Sequence, residues 1–272
     1  MHDKLLYYGQ PINRGHPLNR GLIPDWTVVP WFKSGPRLID LSGFRTHGTL
    51  MNAGTTWSGV SAISGWGSIA YDGAVGTGIN IPLASYFPRT AGTFLARVYP
   101  TTTSAVRQIF MWRIDGSNEL GIVDFNGNFG LNLGCQYNAG GTNKNVAAAS
   151  LSQNVWHDVG FTWDAGTASV LRMYVDGAEV GTAATGLGTM SSSDPAYYKI
   201  GSSNNSGEEW SGNIADAHIW DRALSAAEIL EFRAELRRGN PSRFNWISTR
   251  MYFGVTAGGG GNRRRRVLLG SR

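Results

Sequence analysis

The chain has 272 residues, of which 42% are hydrophobic and 16% charged, with 37 Gly and 10 Trp. That length suits one large β domain or two ordinary ones, the low charge with high apolar content argues against intrinsic disorder, and the glycine- and tryptophan-rich makeup disfavours a helical protein. The net charge of +5 is unevenly spread: residues 233–272 hold ten Arg and one Glu, net +9, whereas residues 1–232 hold 14 basic and 18 acidic side chains, net −4. The lone cysteine, Cys135, excludes an intrachain disulfide and a thiolate zinc cluster.

Residues 1–19 read as an N-terminal arm. Its opening, MHDKLLYYGQPINRGHP, has one short apolar run and no small-residue cleavage site, so no secretory signal peptide is expected. No window holds 18 consecutive apolar residues, so no membrane-spanning helix is expected. From residue 20 to 224 the chain reads as short strands with period-2 alternation. TFLARVYP (Thr93–Pro100) sets Phe94, Ala96 and Val98 against Leu95, Arg97 and Tyr99. RQIFMWRID, LGIVDF, FGLNLGCQY, VWHDVGFTWD, VLRMYVDG, YYKIG and IADAHIW follow, with turn residues between them and a hairpin expected at Asn126–Gly127. Strands at this spacing predict a sandwich of two antiparallel sheets.

Residues 225–239 predict one helix. Ser225 and Glu228 form a capping box, Ile229, Phe232 and Leu236 share a face, and Arg237, Arg238, Gly239 and Pro241 end it. Residues 240–272 follow as a basic C-terminal arm, in which MYFGV and VLL read as strands of a hairpin or as strands that pair elsewhere.

Five segments carry a family resemblance. DLSGFRTHGTL, YDGA, NVWHDVGFTWD, MYVDGAEVG and WSGNIADAHIWDRALSAAEI occur in the order found in laminin-G-like, concanavalin A-like lectin/glucanase jelly rolls. The HPLNRGLIPDW opening is similar to such proteins encoded by tailed phages. The resemblance implies an all-β jelly roll of two curved sheets whose concave face or loop edge often binds carbohydrate. It also implies a calcium position at Asp72 and Asp216. This chain lacks the further acids of that pattern, with Ala215 in place of the first Asp of the final pair, so calcium has only a weak claim and no cofactor is expected.

Catalytic motifs are absent. No strand alternates carboxylates as retaining glycoside hydrolysis on this fold requires, Glu208 and Glu209 being adjacent and Glu119 and Asp124 five apart. There is no nucleophile elbow, P-loop or zinc-protease motif, so the chain is expected not to be an enzyme. The five histidines form no set, and His47 and His157 read as structural. Trp57, Trp156, Trp163 and Trp220 lie in apolar strand patterns and are expected in the core. Trp66, Trp112 and Trp210 adjoin Gly and Ser turns and are the candidates for stacking on sugar rings. In the tail, Arg263, Arg264, Arg265 and Arg266 precede Val267, Leu268 and Leu269. Apolar residues serve no purpose in a phosphate-binding arm, so a docking strand for another subunit is the expectation and nucleic acid is not. The first reading is thus a non-catalytic virion assembly protein, a capsid decoration or tail component of a phage, released by lysis. Its expected partners are copies of itself and other virion proteins. The alternative is a lectin-like module or adhesin that binds surface glycans, and a glycoside hydrolase comes last.

Overall fold

The computed structural model describes residues 15–26, 37–42, 44, 46–60, 67–82, 87–102, 106–126, 132–203 and 207–237. In chain order its strands are β1 (Leu22–Asp25), β2 (Arg37–Leu38), β3 (Gly48–Leu50), β4 (Thr55–Ser58), β5 (Ser68–Asp72), β6 (Ile79–Asn80), β7 (Ala91–Pro100) and β8 (Arg107–Asp115). Then come β9 (Asn118–Asn126), β10 (Asn132–Ala139), β11 (Thr142–Ala148), β12 (His157–Asp164), β13 (Val170–Val175), β14 (Ala178–Thr185), β15 (Tyr197–Ile200) and β16 (Ser211–Trp220). Helix α1 (Ala226–Arg237) closes the described chain.

Two antiparallel sheets result, as the alternation predicts. The first runs β14-β13-β12-β7-β16-β5-β4, with β1 paired to β16. The second runs β11-β10-β9-β8-β15-β6-β3-β2. Apolar residues of each strand meet between the sheets: Phe94, Ala96 and Val98 of β7 face Phe110 and Trp112 of β8, Leu120 and Ile122 of β9, and Cys135 and Tyr137 of β10 in one core. Aromatic rings organise its centre, with Phe87 stacked 4.4 Å from Trp112 and Phe94 stacked 4.3 Å from Phe110. The β13–β14 turn needs two left-handed residues, and Asp176 (φ 54°) and Gly177 (φ 84°) supply them. The hairpin expected at Asn126–Gly127 and the C-terminal strands lie outside the described residues.

A second core forms on the outer face of the first sheet. There α1 lays Ile229, Phe232 and Leu236 against Leu95, Tyr174 and Trp220, and Leu18 and Leu22 join them. Trp220 Nε1 donates to the Leu18 carbonyl at 2.8 Å, so the chain is tied to the sheet from before β1. Both halves of the predicted capping box form: Glu228 N–H donates to Ser225 Oγ at 3.3 Å, and Ser225 N–H to Glu228 Oε2 at 2.9 Å. An ionic clamp backs the apolar contact. Arg233 pairs with Asp158 of β12 and, at 3.0 Å, with Asp176, while Arg97 reaches Asp158 from β7 at 3.1 Å. Arg233 and Arg237, counted with the basic tail by sequence position, therefore serve the acidic body.

Candidate functional site

The structure redistributes the residues singled out in the sequence. Trp112 and Trp210 are both 0% exposed and belong to the inter-sheet core, which corrects their assignment to sugar stacking. The reason is strand parity. Trp112 shares a face with Phe110 and Ile114, and that phase outweighs the Gly and Ser nearby. Trp66 lies outside the described residues, as do Arg263, Arg264, Arg265, Arg266 and Leu268. Of the tryptophans expected in the core, Trp163 and Trp220 are buried there, whereas Trp57 and Trp156 are only half-buried.

Asp72 and Asp216 do not converge, which corrects their pairing as a metal site. Ser211 is the β16 partner of Asp72, so Asp216 stands five residues further along, roughly 16 Å at the usual strand rise. Asp72 is exposed and caps its own turn, accepting from Ala74 N–H at 2.9 Å. Asp216 is buried and pairs with His218 Nε2 at 3.1 Å. Calcium takes about six to eight oxygens, which two separated acids do not provide. Among the described residues no group of three or more His, Cys, Asp and Glu is placed to hold a metal.

One large polar surface remains, on the outer face of the second sheet, where no described helix packs. Its residues alternate with the core residues of each strand and align in rows through the register. One row runs Thr49, Asn80, Lys199, Met111, Gly121, Gln136 and Asn145. The next runs Tyr197, Arg113, Glu119, Asn138 and Asn143. Gly121 keeps the centre low, so that Gln108 lies flat on the sheet and donates from Nε2 to the carbonyls of Phe110 (2.5 Å) and Ile122 (3.1 Å).

Charges on this face are internally matched. Arg113 Nε lies 3.4 Å from Glu119 Oε2, and Gln136 Nε2 donates to Glu119 Oε1 at 2.8 Å. Burial pushes the Glu119 carboxyl up, and Arg113 and Gln136 offset part of that shift. The Arg113 guanidinium and the Lys199 ammonium lie 6.0 and 5.7 Å from the Tyr197 ring centroid, so the ring serves as a cation platform. Burial pushes the Lys199 ammonium down, against the pull of Glu209. Asn80, Asn143 and Asn145 are exposed and Gln136 half-exposed, presenting amide donors and acceptors in a plane. Such a surface can exchange hydrogen bonds with a polyhydroxylated ligand while its one fixed carboxylate stays engaged. These residues were readable as outward-facing strand positions, but without an aromatic flag nothing in the sequence marked them as a site.

The family described as the concanavalin A-like lectin/glucanases superfamily matches residues 72–230. No curated protein sequence matches the chain. Among solved structures, the fold is similar to domain 4 of an extracellular arabinanase from Geobacillus stearothermophilus in complex with arabinotriose, at TM-score 0.62 and 14% identity over 77% of this chain and 97% of that one. It is similar to the binding domain of Paraclostridial Mosquitocidal Protein 1, at TM-score 0.58 and 14% identity over 79% of this chain and 52% of that one. It is also similar to part of a Trypanosoma rangeli sialidase mutant displaying trans-sialidase activity, at TM-score 0.57 and 16% identity over 77% of this chain. The chain spans only 32% of that sialidase's length. At such identities the likeness concerns the fold alone.

Proposed function

The chain belongs to the concanavalin A-like lectin/glucanases superfamily, and from that premise we propose that it is a carbohydrate-binding domain that performs no catalysis. The observation that carries this reading is the polar outer face of the second sheet, on which no described helix packs: Gln136 contacts the Arg113–Glu119 pair, and Asn80, Asn143 and Asn145 are exposed further along the rows. Amides in a plane match the vicinal hydroxyls of a sugar, and preset side-chain pairs lower the entropy lost on binding. The arabinotriose complex of the similar arabinanase domain lends support from the fold. Against turnover stands the engagement of Glu119, whose carboxylate is bound on both oxygens by Arg113 and Gln136 and is not poised beside a second acid of the same row.

A glycan array probed with the full chain tests the reading. Binding to at least one glycan is expected, weakened roughly tenfold or more by the Arg113→Ala Gln136→Ala double variant. An array with no binder, or one that the double variant leaves unchanged, rejects it. A second reading, display on a particle such as a phage virion through subunit contacts of the tail, is favoured by the charge split: net −4 over residues 1–232 and +9 over 233–272. The two readings are compatible, because a displayed domain keeps its outward face free for glycans.

A further inference from the structure

Helix α1 covers only part of the first sheet's outer face. Phe232 packs edge-on against Trp220 and His218, and the groove beside it is lined by Leu95, Asp158 and Arg233. Two residues beyond Arg97 on β7 the face turns aromatic. There Tyr99 stands opposite Asn213 of β16, and Trp156, just before β12, lies on its other side. The two rings sit 5.4 Å apart and are tilted by 53°. Both are half-buried, and neither belongs to a core cluster.

The loop that carries Trp156 is fixed. Asn154 adopts φ 58°, and its N–H donates to the Pro100 carbonyl at the end of β7 at 2.8 Å, so the aromatic pair is held before any ligand arrives. Each ring keeps a polar handle open: among the described residues the Tyr99 hydroxyl and the Trp156 Nε1–H meet no hydrogen-bond partner and are not sealed from solvent. Asn213 is only 7% exposed and donates from Nδ2 to Ser68 Oγ at 3.0 Å, and among the described residues its Oδ1 meets no donor. Around them the face presents Thr56, Ser58 and Ala70, and the cation on the same side of β7, Arg97, is 8% exposed in its side chain and engaged by Asp158 at 3.1 Å.

We propose that this end of the first sheet's outer face is a second saccharide site, specific for a neutral sugar. The C–H face of the ring stacks on Trp156 and Tyr99, one sugar hydroxyl accepts from Trp156 Nε1–H, and another donates to Asn213 Oδ1. A purely aliphatic surface would leave all three polar atoms without partners, and a uronate would find the Arg97 guanidinium already engaged by Asp158. The site lies on the sheet opposite the face assigned above, and its existence does not depend on that assignment. If both hold, one domain engages two glycan segments on opposite sides.

The test is titration of the isotopically labelled full chain with arabinotriose, xylotriose, cellotriose and maltotriose, following the indole N–H signal of Trp156, assigned by its loss in Trp156→Phe. A saturable shift with at least one of these trisaccharides is expected, with affinity for it falling roughly tenfold in Trp156→Ala. Tyr99→Phe is expected to weaken binding less, because it keeps the ring, and Arg113→Ala Gln136→Ala is expected to leave this signal unaffected. No shift with any of the four trisaccharides overturns the proposal, as does a shift that the Arg113→Ala Gln136→Ala variant abolishes. A dimer in light scattering that Trp156→Ala dissolves also overturns it, since the aromatic pair would then dock a second copy. Failure of the second-sheet face alone leaves the Trp156 shift in place, so the two sites fail separately.

Discussion

At the scale of single residues, the helix start behaves as local chemistry dictates. Ser225 and Glu228 exchange hydrogen bonds, and Arg222 adds an ion pair to Glu228 at 2.7 Å. The Arg222 contact, assisted by Ser225, holds the Glu228 carboxyl down to about 2 from an ordinary value of 4.5. A depressed carboxyl contributes stability that is complete above its unfolded value and disappears as pH falls through the folded one. Glu228→Gln is therefore expected to lower the thermal midpoint at neutral pH, with the gap to the parent closing as pH drops from about 4.5 towards 2. Ser225→Ala is expected to cost about 1 kcal/mol in chemical denaturation. The capping box was legible because it involves neighbours three residues apart. The fate of Trp112 and Trp210 was not, because it depends on which side of a strand the opposite sheet lies.

Elements meet through longer-range chemistry. The apolar stripe of α1 was visible in its spacing, and burying Ile229, Phe232 and Leu236 contributes on the order of 2 kcal/mol each. The partner of that stripe was not visible: a row on β7, β12, β13 and β16 that alternation alone would assign to solvent. Covering that row is what buries Leu95 of β7, 8% exposed, although its neighbours Phe94 and Ala96 point the other way into the inter-sheet core. Arg233 joins helix to sheet through Asp158 and Asp176 and is 15% exposed in its side chain. Arg233→Ala leaves Asp158 with less compensation in a half-buried place, and a loss of about 3 kcal/mol is expected in guanidinium chloride unfolding. Lys at the same position is expected to recover little, because it cannot span both acids with one planar fork.

For the whole molecule, the charge split becomes an assembly prediction. Once Arg233 and Arg237 are assigned to the body, the basic remainder still contains the run Arg263–Arg266 followed by Leu268. Deleting residues 258–272 is expected to leave the thermal midpoint of the sandwich unchanged and to reduce the mass seen by light scattering. If the full and shortened chains are both strict monomers, the docking role of the tail is rejected. The amino-acid sequence by itself determined the all-β class, the antiparallel sandwich, the capped helix and the superfamily, since period-2 alternation, turn residues and capping pairs are properties of near neighbours. Only the tertiary structure decided which tryptophans are sealed, that Asp72 and Asp216 stand apart, and that Gln136 and Arg113 share one face with Tyr99 and Trp156 on the other sheet. Those facts rest on register between strands far apart in the chain, and a shift of a single residue would turn each side chain to the opposite face.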